Sequence, residues 1–571
     1  MGIATVDDNV SFGFSPPTRV RYWILGLATV MAVLLYLDRY CLTFIQGYVR
    51  EELGLTNRQM DVLVGAFFLS YGLGQVPSGW LSDRYGSRLM LSLYILLWSI
   101  FTGVMGLTAT FALLLAFRLG CGLAQAGAYP TGALIVSKWM PPSQRGLGSG
   151  IISMGGRVGA VLAPTLTAYL LVAFVPSGKS RLLDSADIFD SKKFCEDLVL
   201  PHEKRPRIDV LAEQLRNRLS TAAIESLRQG AEKAAAPLSA EEIRSIVQEL
   251  NEIQLHTALY DLVNPDDFDL PPVDGTKLTP AESERRNRLL LENAFPGSIR
   301  KFQGLGWRPT VYVYGAVGIG FALAFWLLVR DSPRQHPRCN AAEVALISGS
   351  DGGTAEGSRA GRLPFGYILR SRSLWLSSLS QFTTNFGWVF IVAQFARYLS
   401  DEHHVPVILR GWMTAIPILM GIVGMLYGGW LTDRLTRSMG LFWGRCLPMS
   451  ATRFVAMVAF GACIFLDSSW AVTIALGVVA MATDLGTPAI WAFMQDTGGK
   501  YVGSALGWGN MWGNFGAFLS PIVLGLIIEK AGWNTMFLIC AAAFLISGIA
   551  AFGVDARIPL VPKDADLDQP I

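Results

Sequence analysis

The sequence predicts an all-α membrane protein of twelve transmembrane helices in two six-helix, pseudo-symmetric halves, with a polar, partly helical extracytoplasmic insertion. Three observations predict it. First, of 571 residues 51% are hydrophobic and only 16% charged, at a mean hydropathy of +0.39; a soluble domain carries about 25% charged residues. Second, twelve apolar segments of spanning length begin near Tyr22, Met60, Leu89, Thr110, Leu147, Pro309, Trp375, Arg410, Pro448, Trp470, Gly503 and Trp533. Third, the chain repeats itself. Gly79-Trp-Leu-Ser-Asp83-Arg84 returns as Gly429-Trp-Leu-Thr-Asp433-Arg434, 350 residues later. Gly150, Gly156, Gly159 and Pro164 return as Gly507, Gly513, Gly516 and Pro521 at an offset of 357. Small residues in register let helices approach and bend, as a rocking pair of bundles needs.

Orientation follows from Lys and Arg in the short flanks. With the N-terminus inside, fifteen lie on the cytoplasmic side, among them Arg19, Arg21, Arg84, Arg88, Lys138, Arg145, Arg434 and Arg445, against five outside, Arg50, Arg58, Arg397, Arg410 and Lys530. The chain then divides into a cytoplasmic segment (1–21), helices 1–5 (22–175), the insertion (176–308), helix 6 (309–330), a cytoplasmic central loop (331–373), helices 7–12 (374–554) and a cytoplasmic tail (555–571). The expected location is the cell membrane, with both termini cytoplasmic.

The insertion is the acidic part of a chain whose net charge is +3: Ser177–Gln303 carries 18 Lys/Arg and 22 Asp/Glu. Arg207–Gln229 and Ser239–Leu262 have helical periodicity, and Thr279-Pro280-Ala-Glu282 reads as a helix start. Asn264-Pro265 and Leu270-Pro271-Pro272 read as breaks. A small helical cap and a solvated linker are both open readings. Seven scattered cysteines show neither disulfide nor metal-ligand spacing and read as packed thiols. The adjacent His403 and His404 read as solvated. No basic stripe suits nucleic acid. No nucleotide loop or nucleophile–base pair indicates an enzyme, and neither a metal nor a cofactor is expected.

Charges inside the spans point to a task. Asp38 and Arg39 lie within the apolar stretch Tyr22–Gln46, and Arg118 lies deep in Thr110–Trp139. Such residues face a bundle interior or aqueous cavity, because hydrocarbon does not solvate them. Two arginines on separate helices suit a carboxylate clamp; an internal lock between Asp38 and Arg39 is the alternative. Asp38 is a candidate for proton coupling, by exchange of Arg39 with the arriving substrate. Arg157 either adds a site for a second carboxylate, pairs with Asp484, or reaches towards water. Tyr71, Asn385, Asn510 and Asn514 suit sugar hydroxyls or, equally, interhelical hydrogen bonds. Asp83, Arg84, Arg88, Asp433 and Arg434 are candidates for a gating latch between the halves.

The Gly79–Arg88 motif resembles the signature loop of the major facilitator superfamily, over about 440 residues of the chain. Tyr36-Leu37-Asp38-Arg39, Arg118-x-x-x-Gly122-x-x-x-Ala126 with Pro130, Gly507-Trp-Gly-Asn510-Met-Trp-Gly513-Asn514, and His336-Pro337 before Glu343 resemble its anion:cation symporter branch. That branch includes hexuronate, galactonate and glucarate carriers and sialin. The resemblance implies import of an organic anion, a sugar acid, by cation symport (the cation a proton) in a monomeric carrier in the lipid bilayer. An uncoupled facilitator and a carrier-like sensor using the insertion are the alternatives. One departure matters. Where the branch places a glutamate seven residues after the fourth-span arginine, this chain has Gln125, which binds but does not titrate. Asp484, opposite Ala126 in the repeat, is a candidate substitute for proton coupling.

Overall fold

The computed structural model describes residues 16–174, 182–200, 206–232, 238–253, 284, 287–288, 290–292, 294–295, 298–300, 306–348, 361–363, 365–403, 405 and 407–562. The helix start at Thr279–Glu282, the breaks at Asn264 and Leu270, and His404 lie outside them. The first half contains α1 (Val20–Leu53), α2 (Asn57–Tyr85), α3 (Ser87–Met105), α4 (Phe111–Ala126), α5 (Ala128–Trp139) and α6 (Arg145–Ala173). The insertion contributes α7 (Ser191–Val199), α8 (Pro206–Arg216), α9 (Thr221–Ala231) and α10 (Ala240–Glu252), and α11 (Trp307–Leu328) follows it. Short helices α12 (Ala341–Ser348) and α13 (Phe365–Arg370) lead to α14 (Arg372–Ala393), α15 (Phe395–Asp401), α16 (Val407–Ala462), α17 (Ser469–Gly498) and α18 (Val502–Phe552).

Among the described residues, eight continuous helical stretches are long and apolar enough to cross a membrane. Two of them, 57 and 84 residues long, exceed the roughly 20 residues that one crossing needs. They reverse at Gly440 (φ 79°) and Gly532 (φ 78°), where only glycine is unstrained. Gly86 (φ 94°, ψ 157°) turns the chain from α2 to α3 almost as Gly440 (ψ 176°) does after the second motif loop. The outer faces are apolar: Leu323, Val458 and Ile549 are about 60% exposed, as lipid-facing side chains are. The protein is a multi-pass membrane protein.

The repeated glycines are points of close helix approach. A Cβ on Gly159 would lie 2.4 Å from the Val33 carbonyl of α1, and its mate Gly516 meets the Phe382 carbonyl of α14 at 2.1 Å. Gly150 and Gly507 make the corresponding contacts between the halves. Gly150 of α6 meets the Met425 carbonyl of α16 (2.7 Å), and Gly507 of α18 meets the Gln75 carbonyl of α2 (2.5 Å). A side chain at any of the four positions would push two backbones apart.

The insertion has a hydrophobic core of its own, from Leu183, Phe194, Leu198, Leu211, Leu215, Leu227, Val247 and Leu250 to Phe295 and Ile299. The expected helix Arg207–Gln229 is two helices, because Ser220 caps a fresh start by accepting from Ala223 N. Buried Arg288 donates to Asp187 (2.7 Å), to Glu292 and to the Arg300 carbonyl (2.8 Å), joining the two ends of the segment. All seven cysteines are free, and six are buried. His403 meets the Tyr398 hydroxyl at 3.1 Å.

The central loop anchors the start of α1. Buried Glu343 accepts from Val20 N (3.2 Å), Arg21 N and Arg21 Nη1 (3.1 Å each), and the Thr18 hydroxyl. Burial works against its ionised form. The donors from Thr18, Arg21 and Val20 outweigh it and hold the carboxyl below the usual glutamate range. A depressed carboxyl stabilises the fold above its unfolded pKa, about 4.3, and loses that contribution as pH falls through the folded value. Glu343→Gln therefore lowers the melting temperature at pH 7, and the gap to wild type closes below about pH 4; thermal unfolding across pH measures it. A gap that persists in acid would contradict the account.

Candidate functional site

At membrane depth, successive helical residues point about 100° apart, so the neighbours Asp38 and Arg39 look in different directions. Asp38, 2% exposed, accepts from Trp98 Nε1 of α3 at 2.9 Å. Arg39 turns to α2 and α4. Its Nε donates to Gln125 Oε1 at 3.3 Å, and its guanidinium lies over the rings of Tyr71 (4.3 Å), Tyr36 (4.9 Å) and Phe67 (5.3 Å). No ion pair links Asp38 with Arg39 among the described residues. The lock expected as one reading of that pair is not what these side chains form.

Arg118, fully buried in α4, sits over the other contact of Phe67 (4.3 Å) and gives Nη2 to the Arg39 carbonyl at 3.4 Å. Arg39 Nη2 and Arg118 Nε and Nη1 are buried with no hydrogen-bond partner among the described residues. Buried guanidinium donors are costly to leave unpaired. Three such nitrogens belong to the two guanidiniums that lie against the Phe67 ring. Tyr71, 3% exposed, stacks on Phe67 (5.8 Å) and completes the wall.

Between the halves, Arg157 of α6 binds Asp484 of α17 through two hydrogen bonds, Nε–Oδ2 at 3.0 Å and Nη2–Oδ1 at 2.7 Å. The pair expected as one reading of Arg157 is therefore formed across the halves. Gly421 leaves room for it, since a Cβ there would lie 2.3 Å from Asp484 Oδ2. Arg157 also lies over the Trp388 ring at 4.3 Å. The polar wall continues in α14 and α18: Asn385 Nδ2 borders Gly513, and Asn514 donates to the Asn510 carbonyl at 2.7 Å. Among the described residues, no hydrogen bond joins the Asn510 and Asn514 side chains to one another or to Arg39 or Arg118.

The motif aspartates act alike on opposite halves. Asp83 accepts from Gly503 N (2.8 Å), Ser504 N (2.7 Å) and the Ser504 hydroxyl (2.7 Å) at the start of α18. Asp433 accepts from Gly146 N and Leu147 N (2.8 Å each) at the start of α6. Each carboxylate caps a helix whose N-terminal amides lack intrahelical partners. Asp496 adds a second tie, to Arg145 of the first half (2.9 Å) and Arg445 of the second (2.8 Å). Arg84 and Arg434 are exposed and lie over Trp80 and Trp430 of their own helices, while Arg88 donates to the Trp326 carbonyl. Among the described residues, the members of the gating set that bridge the halves by hydrogen bonds are the two aspartates.

Sequence reading missed three groups. Buried Arg453 of α16 donates to the Thr483 carbonyl at 2.9 Å, beside Asp484; its signal was an arginine five residues past Pro448 in an apolar run. Gln75, one turn after Tyr71, is fully buried, and neither of its amide atoms has a partner among the described residues. Trp98 carries no charge to draw the eye.

The chain resembles known carriers over nearly its whole length. A probable sulfoacetate transporter of Cupriavidus necator is 21% identical, covering 96% of both chains. A probable galactarate/D-glucarate transporter of Bacillus subtilis is 22% identical over 97% of this chain and 96% of its own. A D-galactonate transporter of Escherichia coli is 21% identical over 94% and 95%. In fold, the chain is similar to the transporter FucP in its outward conformation (TM-score 0.56, 14% identity, 93% and 99% covered). The proton:xylose symporter XylE gives 0.54 at 11% identity, covering 93% and 94%. The family model described as Major Facilitator Superfamily matches residues 28–177, 302–519 and 380–567. With that match across both halves, the chain belongs to the Major Facilitator Superfamily.

Proposed function

We propose that this protein is a secondary carrier that imports an organic anion, a sugar acid, with Arg39 and Arg118 clamping its carboxylate. The observation that carries the reading is the three unpartnered guanidinium nitrogens of Arg39 and Arg118 beside Phe67 and Tyr71. Relatives named for galactarate, glucarate, galactonate and sulfoacetate share the requirement for an anion site. Tyr71, Gln125, Asn385, Asn510 and Asn514 supply hydroxyl and amide groups for a polyhydroxylated chain. Twelve spans follow if the long helices are divided at Gly440, at Gly499–Tyr501 and at Gly532, with α4 and α5 read as one span. Both termini and the motif loops are then cytoplasmic, and the insertion lies outside.

In this reading the helix caps by Asp83 and Asp433 hold the cytoplasmic side closed, and transport proceeds when they release. Coupling rests on Asp38, which has no arginine partner among the described residues. Its surroundings are Trp98 of α3, Gly318 and Tyr314 of α11, Cys41 of α1 and Cys121 of α4. A buried carboxylate without a cation is neutralised by a proton instead. Asp38→Asn is expected to bind substrate in detergent yet lose uptake driven by an imposed pH gradient in proteoliposomes. Gln125 favours a second reading, an uncoupled facilitator, since an amide stands where the branch has a titrating acid. Gradient-driven uptake that persists in Asp38→Asn would remove Asp38 from coupling; wild-type uptake indifferent to the gradient would favour the facilitator.

A further inference from the structure

Around the two clusters of the site, among the described residues, lie four buried or half-buried arginines, Arg39, Arg118, Arg157 and Arg453, and two buried aspartates, Asp38 and Asp484. The site thus has an excess of two positive charges when both aspartates are ionised. Gln125 contributes to the excess, because it binds Arg39 without bringing a negative charge. The two clusters are neighbours. Tyr36 lies under the Arg39 guanidinium at 4.9 Å, and Gly156, next to Arg157, would place a Cβ 2.7 Å from the same ring. Tyr40 is within electrostatic reach of both guanidiniums. Tyr36 and Tyr40 therefore adjoin both cationic ends.

Those ends differ in how they are filled. Arg39 and Arg118 hold free donors, whereas Arg157 is occupied by Asp484. Asp484 has a second cation behind it: Arg453, fixed to the Thr483 carbonyl, lies within electrostatic reach of the Asp484 carboxylate. Thr487 Oγ1 shares that carbonyl at 3.2 Å, one residue before Pro488, whose missing N–H weakens the helix there. Arg157 is the open side of the pair, 14% exposed against 3% for Asp484. Of the two partners, the arginine is the one an arriving anion can reach.

We infer that Arg157 is an exchangeable second anion site, held by Asp484 when the carrier is empty and by the far negative group of a linear organic dianion when it is loaded. Arg453 is the positioning residue that keeps Asp484 balanced once Arg157 is released. The inference rests on the proposed Arg39–Arg118 clamp and narrows its substrate to acids charged at both ends, aldarates and sulfocarboxylates rather than aldonates. It also gives the pair a mechanical role, since releasing it unties α6 from α17, one in each half. Because the exchange swaps one carboxylate for another on Arg157, no proton is required at Asp484.

Galactarate and galactonate test it, being of equal chain length but carrying two carboxylates and one, with a terminal hydroxymethyl group in galactonate where galactarate has its second carboxylate. Equilibrium binding to the full chain in detergent is expected to favour galactarate by about tenfold or more, the discrimination of roughly one charge-assisted contact. Arg157→Gln should bring the ratio to about one and leave galactonate binding unchanged. Asp484→Asn, which removes the internal competitor, should tighten galactarate by about tenfold with little change for galactonate. Arg453→Gln should weaken galactarate alone, and that loss should vanish in the Asp484→Asn background, which a merely structural arginine would not do. Equal binding of both acids by wild type, or loss of both alike in Arg157→Gln, would overturn the inference and leave the clamp standing. So would galactarate affinity unmoved in Asp484→Asn. Neither acid binding wild type would overturn the clamp, and the inference with it.

Discussion

Arg39→Lys is expected to weaken binding of a sugar acid by roughly 10–100-fold without unfolding the protein. The lysine keeps the positive charge at the same depth but loses the planar fork that presents two parallel donors to a carboxylate. A hydrogen bond to a charged partner contributes about 1.5–3 kcal/mol, and 1.4 kcal/mol is tenfold in affinity. The ammonium also loses the delocalised guanidinium that lies over the rings of Tyr71 and Tyr36. Arg118→Lys should behave alike, since Arg118 holds two of the three unpartnered nitrogens. Isothermal titration of both variants with a sugar acid reads the effect, with the melting temperature of the unliganded protein as the control. Affinity unchanged in both would mean the arginines serve the scaffold.

Asp83→Asn combined with Asp433→Asn is expected to open the face that carries the motif loops. Each aspartate accepts two backbone amides at the start of a helix in the opposite half, and asparagine has one acceptor oxygen and no charge for the same task. An N-cap is worth about 0.5–2 kcal/mol, so losing part of two shifts the balance by about 2 kcal/mol, roughly 30-fold in population. Ser149, buried between the halves where Gln495 donates to it at 3.0 Å, reports the change. A single Ser149→Cys in otherwise cysteine-free protein should alkylate slowly with the caps and many times faster without them. Equal rates would mean that Arg145, Asp496 and Arg445 hold that face closed by themselves.

Much of this arrangement was legible in the sequence because its signals are local. The glycine register and the paired motif loops are written in adjacent letters, and both correspond to contacts between backbones. Asp38, Arg39 and Arg118 stood out because charge is rare in an apolar span. The partners did not. That Asp38 turns to Trp98 rather than Arg39 depends on side-chain direction and on α3, 60 residues away. Arg157 left three readings open because a lone arginine has many acceptors within a fold; the bond to Asp484 spans 327 residues and two halves. Arg453 was passed over since its acceptor is a backbone carbonyl, present at every position and marked at none. The insertion's periodicity indicated helices, but its break at Ser220 falls inside a continuous apolar pattern, where a cap signal is easily outweighed.

The most direct measurement of the central claim is a binding titration of purified wild-type protein with galactarate, galactonate and the neutral polyol galactitol. A carboxylate clamp predicts saturable binding of at least one acid, stabilisation that grows with its concentration, and no response to galactitol. Binding of galactitol as tightly as either acid, or acid binding undiminished when Arg39 and Arg118 are both replaced by alanine, would contradict the clamp and return those arginines to the scaffold.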